Sequence, residues 1–204
     1  SSSAAGERAL AEYIEKYPRG AYKASALYHL ADVREREKKT SEAIETLVEL
    51  SEMAYNKHTV SGLEKLGALS IESGRYTTAA DAYLKLTSVA VNPETRGKAW
   101  AGYLSSVKHV DAADKKIEAV DNIISGSGVP LNVMREAKFI KAGLLKETAH
   151  QAQALEIYRE LASEVQSKEG AESAYYVIEA EYEAGKLDVA EQMIMELAKK
   201  NTPH

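Results

Sequence analysis

The 204-residue chain has no cysteine, which removes disulfides, thiolate metal ligands and cysteine nucleophiles together. It has only four prolines, 12 glycines and one tryptophan, and no alternating run of Val, Ile and Thr that would read as a strand. Excess positive charge is also missing, since 26 Lys+Arg face 31 Asp+Glu for a formal net charge of −5. A phosphate backbone needs a basic face, so nucleic acid is disfavoured as a partner. No stretch approaches the ~20 consecutive apolar residues of a membrane-spanning helix. The opening Ser1-Ser2-Ser3-Ala4-Ala5 lacks the basic and apolar regions of a signal peptide.

Catalytic constellations are equally scarce. The five histidines, at 29, 58, 109, 150 and 204, are scattered, with no pair at helical i, i+4 spacing. No His-Glu-x-x-His motif or phosphate-binding loop is present, and Gly126-Ser127-Gly128 reads as a turn instead of a nucleophile elbow. Glu179 and Glu183 share a helix face, yet two carboxylates on a solvated helix look the same whether or not they do chemistry. The expectation is a chain that is not an enzyme and carries neither a metal nor a cofactor.

What is present is an ordinary globular balance, 45% hydrophobic and 28% charged residues, rich in Ala, Glu, Leu and Lys. That is the profile of an all-α protein long enough to bury a core without staples. Periodicity and turn residues predict helices at 5–17, 21–38, 40–53, 58–73, 76–89, 94–108, 111–125, 131–147, 150–166, 169–184 and 187–200.

These helices repeat in pairs. The clearest unit runs through Leu66-Gly67, Gly74-Arg75-Tyr76, Ala79, Tyr83 and Leu86. Gly67 and Ala79 are small where two antiparallel helices cross closely, Tyr83 fills the space beside the crossing, and Gly74 supplies a left-handed helix end. The same offset of 12 joins Ala31 to Ala43, with Leu47 following, and Ala142 to Ala154, with Tyr158 following. It recurs from Ile178 through Gly185 to Ala190, with a bulky residue in the first slot. Around Trp100-Ala101-Gly102-Tyr103 the first helix is clear but its partner fits only with a one-residue slip at Ala113. At the front, Ala9 and Tyr13 fit a second helix without a first. Four regular offsets favour stacked hairpins over an irregular bundle.

The pattern resembles the tetratricopeptide repeat, a helix–turn–helix unit of ~34 residues. The resemblance implies a right-handed superhelical solenoid, divided as a truncated repeat at 1–20 and repeats at 21–56, 57–92, 93–128 (degenerate), 129–168 and 169–204. Tyr17-Pro18-Arg19-Gly20-Ala21-Tyr22 is similar to a link in bacterial envelope versions, including the Tol-Pal coordinator protein and the outer-membrane-assembly lipoprotein. Gly170-Ala171-Glu172-Ser173-Ala174-Tyr175 and the ending Asn201-Thr202-Pro203-His204 resemble long envelope repeat proteins. The implied place is the periplasm or outer membrane, as a fragment of a longer array, with the cytoplasm still open.

In such arrays the first helix of each unit lines the concave side. The template then turns inward Tyr28, Asp32, Glu35 and Arg36, followed by Glu64, Ala68, Ile71 and Glu72. Next come Arg96, Tyr103, Ser106 and Val107, then Phe139, Lys146 and Glu147, and finally Tyr175, Glu179, Tyr182 and Glu183. Aromatic rings interleaved with charge suit an extended protein or peptide partner. Repeats that grip a C-terminal carboxylate use inner-face Lys, Asn and Arg, whereas these positions are mostly Asp, Glu, Tyr and Ser. Eight acids and one base between Glu169 and Ala198 would steer a basic segment there. Trp100 is assigned to hairpin packing.

Two functions are carried forward. One is a non-catalytic scaffold that holds a protein partner in its groove. The other is a ligand- or glycan-capture module of an outer-membrane nutrient system, which would want close-set Trp and Tyr platforms beside Asn, Asp and Arg. One Trp and a lone Asn132 on a first helix favour the scaffold. Open repeat flanks at the ends of an array also permit end-to-end self-association.

Overall fold

The computed structural model describes residues 2–200, so Ser1 and the expected ending Asn201–His204 lie outside the described residues. Eleven α-helices and no strand occur among them. The chain divides into two compact units, up to Val110 and from Asp111 onward. The first holds α1 (Ser2–Lys16), α2 (Lys23–Arg36), α3 (Thr40–Ser51), α4 (Thr59–Glu72), α5 (Tyr76–Val89) and α6 (Pro93–Val107). The second holds α7 (Ala113–Ile124), α8 (Leu131–Glu147), α9 (Gln151–Leu161), α10 (Lys168–Glu183) and α11 (Leu187–Lys200). The boundary runs through the expected degenerate repeat 93–128, whose two helices fall one in each unit.

Four hairpins share one turn. Seven residues after the first small-residue slot the chain takes a positive φ, at Lys38 (59°), Gly74 (73°), Ala149 (63°) and Gly185 (76°). The next N–H then reaches back to the helix it has left: Lys39 N to Arg34 O at 2.8 Å, Arg75 to Ser70 at 2.7 Å, His150 to Leu145 at 2.8 Å and Lys186 to Glu181 at 2.9 Å. This six-to-one bond with a left-handed residue before it satisfies carbonyls that the helix end leaves open. Each following carbonyl accepts from the second small residue, Ala43, Ala79, Ala154 or Ala190. The offset of 12 seen in sequence is therefore the length of one closed turn plus its two crossing points.

In the first unit Leu27, Ala31, Ala43, Ile44, Leu47, Leu50, Leu63, Leu66 and Leu86 build a continuous core, joined by Ala99 of α6. Helix α1 docks on it through Ile14, while Ala9, expected to pack, is exposed. The inward face of α1 carries Glu7, Leu10 and Ile14, and Ala9 is turned ~100° away from Leu10. Glu7 ties α1 down by pairing with Arg34 at 3.3 Å and Lys39 at 2.7 Å.

In the second unit Ala142, Leu145, Ala154, Tyr158 and Val177 form the core of α8, α9 and α10. The Ser167 hydroxyl accepts the Gly170 N–H at 3.0 Å and starts α10. A side chain at Gly170 would overlap the backbone carbonyl of Glu164, so only glycine lets α10 begin this close to the end of α9. Helix α11 buries Ala190 alone and leaves Leu187, Val189, Ile194 and Met195 about half exposed or more. No helix among the described residues is long and apolar enough to cross a membrane.

Candidate partner-binding site

The inner-face residues of the first unit mostly serve the fold itself. Tyr28 is half buried and stacks on His58 with ring centroids 4.5 Å apart, while Ser25 Oγ lies 3.1 Å from His58 Nε2. Burial, with the Lys57 charge and His29 behind it, holds the His58 pKa below its ordinary value. Asp32 is paired with Lys65, which also reaches Glu35 at 3.4 Å and sits 5.3 Å from the Tyr28 ring centre. Arg96 is turned back to the Ala90 carbonyl through Nε at 3.1 Å and Nη2 at 2.8 Å, where it closes the end of α5. Arg36 and Glu64 are exposed.

Tyr103 was expected to line a groove and is instead buried, packed edge-on to Trp100 at 6.1 Å. Ser106 and Val107 are buried with it. Helix α6 buries Gly97, Ala99, Trp100, Tyr103, Leu104, Ser106 and Val107, and Tyr103 falls on this packed arc between Ala99 and Val107. Trp100 packs as expected. Gly102 and Gly67 flank Tyr83: a Cβ on Gly67 would come within 2.5 Å of that ring, and one on Gly102 within 2.6 Å.

The second unit is different. Phe139 and Tyr158 meet edge to face at 6.0 Å, Tyr158 and Tyr176 lie 4.8 Å apart, and Tyr176 touches Tyr175 at 5.8 Å. Phe139 packs against the core at the inner end of this chain of rings. Lys146 Nζ sits 4.1 Å from the Tyr176 ring centre, a cation–π contact. Beside these rings, α8, α9 and α10 enclose a cleft of about 330 Å³, walled by Lys146, Gln151, Leu155, Tyr158, Tyr176, Glu179 and Glu183 among others. Tyr175 and Tyr182, also on α10, stand outside the lining of the cleft, 63% and 66% exposed.

The acids of α10 split by role. Glu181 is buried, paired with Arg159 and, at 3.8 Å, with Lys186. The Arg159 hydrogen bond holds its carboxyl below the ordinary range. Glu179 and Glu183, one turn apart, have no basic group within ion-pair reach among the described residues. Tyr158 is only 4% exposed, and burial raises its hydroxyl pKa to about 12, so it is a neutral group at physiological pH. Sequence spacing had marked Lys146, Glu179 and Glu183. It missed Tyr176 and Gln151, although Tyr176, Glu179 and Glu183 fall at i, i+3 and i+7 on one helical stripe.

No family model and no curated protein matches the sequence. Solved structures do. A structure of the MamA protein aligns with a TM-score of 0.51 at 16% identity, covering 89% of this chain and 93% of that one. A tetratricopeptide-repeat protein from Parabacteroides merdae gives 0.42 at 19% identity over 97% of this chain and 73% of its own. YrrB, described as a TPR protein with an unusual peptide-binding site, gives 0.49 at 12% identity over 96% and 94%. Paired helices, a small-residue crossing 12 positions apart and one shared turn make this the tetratricopeptide-repeat fold.

Proposed function

We propose that the chain is a non-catalytic interaction scaffold in which the exposed tyrosine face of α10 and the adjoining cleft take up an extended segment of a partner protein. The observation that carries this reading is the pair Tyr175 and Tyr182, two tyrosines about two-thirds exposed and two turns apart on one helix face. Tyr rings exposed in register beside a concave surface supply rigid apolar contact at low entropic cost. The Tyr17-Pro18 link and the Gly170–Tyr175 run support a place in the bacterial periplasm or at the outer membrane, which cell fractionation tests directly. The open apolar face of α11 supports end-to-end self-association, read from sedimentation mass at several concentrations. Affinity capture from envelope extract tests the scaffold reading, with the wild-type chain beside a Tyr175→Ala/Tyr182→Ala variant. The variant is expected to lose the captured proteins. Equal recovery by both removes the reading.

A further inference from the structure

Three features of the cleft in the second unit point to the chemistry of its occupant. The first is a hydrogen-bonding group on the wall. Tyr158 lines the cleft while 4% exposed, and among the described residues no hydrogen bond is made by its hydroxyl, which solvent still reaches. A hydroxyl with no internal partner, fixed on the wall of a cleft, offers its hydrogen bond to whatever enters. A peptide backbone offers both an acceptor and a donor at the required scale.

The second feature is the sign of the walls. Glu179 and Glu183 line the same cleft against one wall cation, Lys146, which lies on the Tyr176 ring and pairs with neither acid, and like charges at i, i+4 repel each other along the helix. A guest ammonium or guanidinium relieves that repulsion, and a guanidinium can bond a carboxylate through two parallel N–H groups. The third is an internal precedent. Lys146 already places an ammonium 4.1 Å from the centre of the Tyr176 ring, so this wall accepts a cation over its π face.

We infer that the cleft between α8, α9 and α10 binds an extended peptide segment bearing lysine or arginine, its cation held by Glu179 and Glu183 and its backbone by the Tyr158 hydroxyl. This rests on the scaffold reading and names the partner's chemistry. The length of the segment follows the stripe, since Tyr175 and Tyr182 extend the contact surface two turns along α10.

Fluorescence anisotropy with the full chain tests it. The probes are fluorescein-labelled dodecapeptides of one Gly/Ser background carrying three arginines, three glutamates or no charge. Saturable binding of the arginine peptide is expected, at least tenfold tighter than the other two. Glu179→Gln/Glu183→Gln should weaken it at least tenfold, and Tyr158→Phe severalfold, with helical circular dichroism unchanged. The control Asp188→Asn/Glu191→Gln removes the same charge from α11, outside the cleft, and should leave binding intact. Equal loss in that control, or no loss with Glu179→Gln/Glu183→Gln or with Tyr158→Phe, overturns the inference. If capture fails with the tyrosine variant while the arginine peptide shows no preference, the scaffold reading survives and this one falls. Unchanged capture removes the scaffold reading instead.

Discussion

The Tyr83 ring lies against the bare α-carbon of Gly67, so near that a methyl group there would sit 2.5 Å from the ring. Gly102 closes the other side at 2.6 Å, so the ring is held between two bare α-carbons. The ring is thus the spacer that sets how closely α4, α5 and α6 approach. Gly67→Ala should destabilise the chain by about 1–3 kcal/mol through overpacking, despite the better helix propensity of alanine. Combining it with Tyr83→Leu should recover part of the loss, so the two changes will not add. Urea unfolding midpoints at constant slope measure both effects.

The shared hairpin turn makes an opposite prediction at two sites. Lys38 and Ala149 hold the positive φ that Gly74 and Gly185 hold elsewhere. A side chain in the left-handed region costs roughly 1–2 kcal/mol, partly offset by the greater freedom of glycine in the unfolded chain. Ala149→Gly and Lys38→Gly should each stabilise by about 0.5–1 kcal/mol, while Gly74→Ala should destabilise. Thermal melts of the three single variants decide the signs.

Acid should release α1. The Lys39 hydrogen bond, with that of Arg34 beside it, holds the Glu7 carboxyl at about 2, well below its ordinary 4.5. A carboxylate with a lowered folded pKa contributes stability that is full above its unfolded value and lost as pH falls toward the folded one. Amide exchange in α1 should therefore accelerate between about pH 4.5 and 2 relative to α4. In Glu7→Gln that extra pH dependence should vanish. A wild-type profile flat across this window would show that Glu7 does not anchor the helix.

Glu179→Gln should move stability and binding in opposite directions. Removing one of two like charges at i, i+4 relieves repulsion worth about 0.2–0.5 kcal/mol, so the variant should melt slightly higher. The arginine peptide should bind it more weakly. A variant that both melts lower and binds less would mark Glu179 as a fold residue.

Much of the fold was legible because its rules are local. Apolar period and turn residues located all eleven helices, with boundaries mostly within a few residues, and Gly74 and Gly185 announced their turns. Lys38 and Ala149 did not, since nothing in a lysine or alanine side chain signals a left-handed backbone. Tyr103 was misplaced for another reason. Periodicity shows that a helix has an apolar face but not where on that face its neighbours sit, and Tyr103 lies on the packed arc of α6 with Ala99 and Val107.

The candidate site was legible only in part. Lys146, Glu179 and Glu183 stood out by spacing, yet Arg96 and Asp32 fitted the same pattern and serve internal contacts. Whether a charge is already satisfied depends on a partner distant in sequence, such as Lys65 for Asp32 across 33 positions.

By itself the sequence determined the helices, the offset of 12 and the exclusion of thiol chemistry, because each depends on residue type at short range. The tertiary structure alone decided which acids remain unpaired among the described residues, that Tyr158 lines the cleft, and that Tyr176 faces Lys146. Those depend on which side chains meet after helices pack, and packing distance is not written in any local stretch of chain.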